Sequence, residues 1–212
     1  MEKLCSFLQS NGIDCSSQVY DFSPTKIIEN SIHIPYPPKV FEKSKKNNII
    51  IKDLDKENFD FIIFIDSDLF IDSQDYDSFL EVIKNLKTNE LALFDAAKLS
   101  ESDTKKIIEN SITDFKSLKY NYAYSGSKDK GPLKGSTGGL GGLYVTSVKL
   151  LLSVGGYDEK FKGWGGEDND LLNRLLNQKT LSFKQLKPIR SFAPYHLSHF
   201  IDRNSNLYST RF

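Results

Sequence analysis

Cysteine is scarce. Cys5 and Cys15 are the only two in 212 residues, too few for a disulfide framework and without the spaced partners of a zinc site. A reducing compartment is the expectation that follows. Long apolar runs are missing as well: nothing approaches the roughly 20 residues of a membrane span, and the N-terminus lacks the basic, apolar, small-residue order of a secretion signal. Charge of one sign is also absent, since 28 basic residues stand against 28 acidic ones. That balance argues against a nucleic-acid groove or a polybasic membrane patch. The chain is therefore expected to be soluble and cytoplasmic, peripheral to the inner face of a membrane at most, with no nucleic-acid partner and no integral membrane segment. Any anionic ligand must be held locally. The length fits one domain, 1–212, large enough to bury a substantial core.

What is present is an alternation of helix and strand patterns, the mark of an α/β layer fold. Leu4, Phe7 and Leu8 share a helical face stopped at Asn11-Gly12. A strand around Val19 and Tyr20 ends at Asp21, and the proline-rich segment from Ser31 to Pro38 reads as a loop. Lys39 to Lys46 suits a short basic helix, after which Ile49 to Ile51 resume the core. Phe61-Ile62-Ile63-Phe64-Ile65 has no polar alternation, which predicts a strand buried on both faces, as in the centre of a parallel sheet. Helical spacing returns from Phe79 to Leu86, and Leu91 to Phe94 forms another strand. Ile108, Ile112 and Phe115 predict a further helical stripe, and Asn121 to Gly142 a mobile loop. Leu143-Tyr144-Val145 then gives a strand, Leu150 to Leu152 a helix and Gly155-Gly156 its stop. The heptapeptide Lys-Ile-Ile-Glu-Asn-Ser-Ile occurs at 26–32 and again at 106–112. Without flanking similarity it is not a structural repeat.

Three groups of residues carry chemistry. Asp66-Ser67-Asp68 follows the apolar strand, and ligands gather beyond the carboxyl ends of strands in open α/β sheets. Two carboxylates one residue apart there can hold a hard divalent cation that neutralises a diphosphate; the tripeptide taken alone fits a solvated turn equally well. An EF-hand loop is excluded by Phe70 at a ligand position with no glycine after it. The second group is Gly163-Trp164-Gly165-Gly166-Glu167-Asp168-Asn169-Asp170. Its acids open a helix with Leu171, Leu172, Leu175 and Leu176 on one face, where the dipole favours negative charge. Helix capping accounts for Asp170, but it requires neither a tryptophan nor three glycines. Glycines let backbone approach a ligand, and an aromatic face can stack on a sugar ring. The third group holds His196 and His199, either of which could complete an oxygen-rich metal site. Mixed nitrogen and oxygen ligation suits manganese better than magnesium.

From Phe61 to Leu69, Gly138-Gly139 to Tyr144, Gly155-Gly156-Tyr157-Asp158 and Gly163 to Asp170, the chain resembles GT-A-fold glycosyltransferases. The likeness is to the galactosyltransferase-type C-terminal region shared by β-1,4-galactosyltransferases, polypeptide N-acetylgalactosaminyltransferases and bacterial chondroitin-polymerase-type enzymes. The resemblance implies a central, mostly parallel sheet flanked by helices. It also implies a metal-dependent hexosyltransferase that moves a hexose or N-acetylhexosamine from a UDP-sugar to a saccharide acceptor in polysaccharide or glycoconjugate synthesis. Carried over motif by motif, Asp66 and Asp68 bind Mn²⁺ (or Mg²⁺) and the donor diphosphate, together with His199 or His196, of which His199 is the better fit. Trp164 and Glu167, with Gly165, Gly166 and Gly139, belong to the substrate-binding positions. Asp168 matches the general base of the inverting members, whereas the retaining enzymes carry Asn there. Asp21 is assigned to the nucleotide base by analogy.

The chain departs from that family at its beginning, where the apolar opening strand that supports the nucleotide base is lacking. The alternative reading is therefore a truncated, inactive GT-A domain that binds a sugar nucleotide or a partner. A nucleotidyltransferase on a similar scaffold lacks support, because no glycine-rich basic phosphate loop or Walker motif is present.

Overall fold

The computed structural model describes residues 2–22, 24–26, 29–35, 42–66, 69–94, 96–109, 120–123, 142–163, 165–178, 182–186, 194–197 and 210–211. In chain order the elements are α1 (Glu2–Ser10), β1 (Tyr20–Asp21), β2 (Ile32–His33), α2 (Lys43–Lys56), β3 (Phe61–Ile65), β4 (Leu69–Ile71), a 3₁₀ turn (Ser73–Asp75) and α3 (Tyr76–Lys84). They continue with β5 (Glu90–Phe94), β6 (Ala96–Leu99), α4 (Glu101–Ile108), β7 (Tyr120–Ala123), β8 (Leu143–Ser147), α5 (Val148–Ser153) and β9 (Phe161–Lys162). The last are α6 (Glu167–Leu176), β10 (Ser182–Leu186), β11 (Pro194–His196) and β12 (Thr210–Arg211).

The principal sheet has the order β10-β5-β8-β3. β5 and β10 pair in parallel, while β8 runs antiparallel to both β3 and β5. Three of the four strands thus point the same way, with one reversed between them. The apolar run of β3 is explained by cover on both faces. Ile62 and Phe64 pack into a core with Ile51 of α2, Leu151 of α5 and Leu171, Leu172 and Leu175 of α6. Phe61, Ile63 and Ile65 pack into a second core with Leu4 and Leu8 of α1 and Phe79 and Leu80 of α3. The molecule is accordingly helix, sheet, helix, an α/β fold. β3 nevertheless occupies an end of the described sheet rather than its centre; its apolar sequence reports burial by helices on either side, not the number of flanking strands.

A second sheet has the order β4-β11-β6-β7. Its register sets His196 opposite Leu69 and Pro194 opposite Ile71, so β11 runs toward the start of β4.

Several elements differ from the sequence reading. The basic helix expected over Lys39–Lys46 and the core segment after it are one helix, Lys43–Lys56. Asn48 and Ile51, three positions apart, are both buried on it, a helical period that the run of β-branched isoleucines obscures. Within the proline-rich loop, Ile32 and His33 pair in parallel with Tyr20 and Asp21. Helix α4 ends at Ile108, which is 68% exposed, and Ile112 and Phe115 lie outside the described residues. Of the loop expected from Asn121 to Gly142, residues 121–123 belong to β7, which pairs with β6. Among the described residues no helix is long and apolar enough to cross a membrane.

Candidate active site

The carboxyl end of β3, the first turn of α2, the start of β8 and the first turn of α6 enclose a cavity of about 180 Å³. Lys43, Asn47, Phe64, Asp66, Gly142, Tyr144, Tyr157 and Asp168 are among its lining residues. Pockets that enclose a whole drug-sized ligand measure roughly 300–1,000 Å³, so the cavity formed by the described residues has room for only part of such a molecule.

Each wall has a local cause. Asp66 is fixed by backbone bonds on both sides: its N–H donates to the Gly142 carbonyl at 2.7 Å, and its own carbonyl accepts from Leu69 N–H at 3.0 Å. Gly142 adopts a φ of +56°, and a Cβ there would collide with the Leu69 side chain. Glycine is needed for that close approach beside Asp66. On the opposite wall Gly166 takes φ +88° as the residue before α6, turning the chain so that Glu167 and Asp168 open the helix. The loop leading to this turn is bound at two points. Asn48 donates to the Tyr157 carbonyl and to Glu159 Oε1, both at 2.9 Å, and accepts from Tyr157 N–H at 2.7 Å. Arg174 donates to the carbonyls of Val154 and Gly156 at 2.6 Å and to Asp170 at 2.8 Å. Asp170 thus serves the helix and its arginine, the structural role that capping assigned to it.

Lys43 joins the two acidic groups. Its Nζ donates to Asp168 Oδ2 at 2.9 Å and lies 3.8 Å from Asp66 Oδ1. The Lys43 and Asp168 side chains are only 20% and 21% exposed, against 48% for Asp66. Burial pulls the ammonium pKa down, but Asp168 and then Asp66 outweigh it and hold Lys43 above its ordinary value. Lys43 is also the first residue of α2, whose first turn contains no acid. A cation at a helix N-terminus opposes the macrodipole by about 0.3–1 kcal/mol, so helix stability does not account for it. Tyr144 and Tyr157 complete the wall with hydroxyls 3.0 Å apart, both titrating above the usual phenol range because they are buried.

Glu167 is 2% exposed, and among the described residues its Oε2 has no hydrogen-bond partner. Desolvation and then the neighbouring Asp168 raise its pKa, partly offset by N–H donors of its own backbone and of Gly165. A buried carboxylate oxygen without a hydrogen-bond donor costs stability. Gly165 adopts φ +101° with open space where a Cβ would stand. Asp21 is buried on β1, outside the cavity lining. Beside it Phe22 meets the Lys46 ammonium, 5.4 Å from its ring centroid.

The structure brings Asp66, Asp168 and the Gly165-Gly166-Glu167 turn together, and it places the His196 backbone next to Leu69. Trp164, Asp68, Gly139 and His199 lie outside the described residues. Among the described residues no group of three or more His, Cys, Asp and Glu side chains converges on a metal position. The described charges lining the cavity are two carboxylates and one ammonium, a net of −1. Of the expected metal ligands Asp66, Asp68, His196 and His199, only Asp66 has a described side chain; its carboxylate is a donor of the kind that suits Mg²⁺ or Mn²⁺. Sequence reasoning missed Lys43, Asn47, Asn48 and the tyrosine pair. The lysine did leave a signal: a basic first turn on a helix, where acids belong.

Residues 118–199 match the family model described as the N-terminal domain of galactosyltransferase. Twenty-two chains of solved structures match. One is the crystal structure of GalNAc-T7 with UDP, GalNAc and Mn²⁺, at 12% identity and TM-score 0.44 over 80% of this chain. This chain spans 33% of that one. Comparison with curated proteins finds no match.

Proposed function

We propose that this chain is an inverting, metal-dependent glycosyltransferase that moves a hexose or N-acetylhexosamine from a UDP-sugar to a saccharide hydroxyl, in cytoplasmic assembly of a polysaccharide or glycoconjugate. The observation that carries the reading is that Asp66 and Asp168, 102 positions apart, face the same cavity and share one lysine. Asp66 and Asp68, with His199 or His196, would hold the divalent ion, which when bound neutralises the diphosphate as it departs. Asp168 accepts the proton from the acceptor hydroxyl while that oxygen bonds to the anomeric carbon. The bond from that carbon to the diphosphate oxygen breaks, its electron pair leaving with UDP. Glu167 supplies an unpaired carboxylate oxygen for an acceptor hydroxyl, and Trp164 a face for the sugar.

The test is UDP release from a panel of UDP-hexoses and UDP-N-acetylhexosamines with Mn²⁺, with and without saccharide acceptors. Activity that EDTA abolishes and that falls by about 10²–10⁴-fold in Asp168→Asn supports the assignment. Activity unchanged in that variant removes Asp168 as the base. UDP-sugar binding by calorimetry without turnover would instead make the chain a binding module.

A further inference from the structure

The contact between α2 and α6 has no counterpart in the motifs that identify the site. We propose that Lys43 is a positioning residue for sugar transfer, tethering the Asp168 carboxylate at the cleft while sharing its charge with Asp66. The inference rests on the transfer reading and adds to it a residue from a different part of the chain.

Three observations support it. Lys43 reaches two carboxylates from two different elements, the end of β3 and the start of α6. The two contacts are unequal: 2.9 Å is a charge-assisted hydrogen bond, whereas 3.8 Å is an ion pair without one. Lys43 therefore fixes Asp168 Oδ2 and leaves the second oxygen of that carboxylate to receive a proton. Helix rules, finally, place an acid rather than a lysine at this position of α2, and a departure from local rules is expected at functional positions. Without the ammonium, Asp66 and Asp168 would repel each other across the cavity, and nothing else in its described lining carries positive charge.

The experiment combines Lys43→Met, Lys43→Arg and Asp168→Asn in the full chain. It reads UDP release with Mn²⁺ and urea unfolding of every variant. Lys43→Met is expected to lower kcat by about 10²-fold with acceptor KM changed less than threefold, Lys43→Arg to recover to within about tenfold of wild type, and Lys43→Met to cost nothing further beside Asp168→Asn. Turnover of Lys43→Met within twofold of wild type, or an equal loss in both backgrounds, would overturn the proposal. Should Lys43→Met not fold, Lys43→Gln carries the same comparison. The unfolding cycle separates the two hypotheses: additive stabilities would show that the Lys43–Asp168 contact is not made, whatever the activity. Coupled stabilities in a wild type that releases no UDP would refute the transfer reading and with it the catalytic role of the tether.

Discussion

Asn48 offers the sharpest test of how the fold holds the site. Its carboxamide is buried, 7% exposed, and it satisfies both the N–H and the carbonyl of Tyr157, itself 3% exposed. Asn48→Ala removes three hydrogen bonds and leaves two backbone groups buried without partners. Each such group costs about 1–3 kcal/mol; allowing for partial relaxation, the loss should be about 3–4 kcal/mol. That is a large share of the roughly 5–15 kcal/mol available to a domain. At about 2–4 °C per kcal/mol for this chain length, Tm should fall by about 10 °C. Urea unfolding should show a lower midpoint with unchanged m-value. Asn48→Asp keeps an acceptor for Tyr157 N–H but cannot donate, and it sets a carboxylate against Glu159, so its loss at neutral pH should be at least as large. A loss below about 1 kcal/mol in both variants would mean that Asn48 does not brace the loop carrying Tyr157 into the cavity.

Two further outcomes follow from the α6 entrance. Glu167 has a raised pKa in the folded state, so its favourable contribution is complete below the unfolded carboxylate pKa of about 4.3 and is lost as pH rises through the folded value. Glu167→Gln should accordingly be more stable than wild type at pH 7, with the gap closing toward pH 4 while transfer to acceptor is lost; a variant less stable at pH 7 in urea unfolding would contradict this. Gly166→Ala must hold an L side chain at φ +88° with its Cβ 3.0 Å from the Phe161 ring, which should cost about 1–3 kcal/mol. An unchanged thermal midpoint would show that the turn before α6 relaxes freely.

Much of the layer architecture is written in short apolar segments. The run Phe61 to Ile65, the leucine face of α6 and the glycine stop after α5 depend on side-chain periodicity and backbone freedom, which are local properties. The acidic positions were legible for the same reason: Asp66 follows a strand end and Glu167 opens a helix behind two positive-φ glycines. By contrast, in the heptapeptide shared by 26–32 and 106–112, Lys106 is helical in α4 behind the Ser100 cap, whereas its counterpart Lys26 lies outside any helix or strand; Glu29 and Glu109 both stand in turns. For the lysine, the flanks rather than the shared residues decided the structure.

Composition and pattern by themselves determined the α/β class, the apolar strand cores and the candidate acids at the ends of two elements. Tertiary structure alone decided that Lys43, with no motif around it, stands between Asp66 and Asp168, and that Asn48 braces a loop 109 positions away. The reason is physical: periodicity and capping act over a few residues, while an ion pair or a buried hydrogen bond depends on distances that exist only after the helices have packed on the sheet.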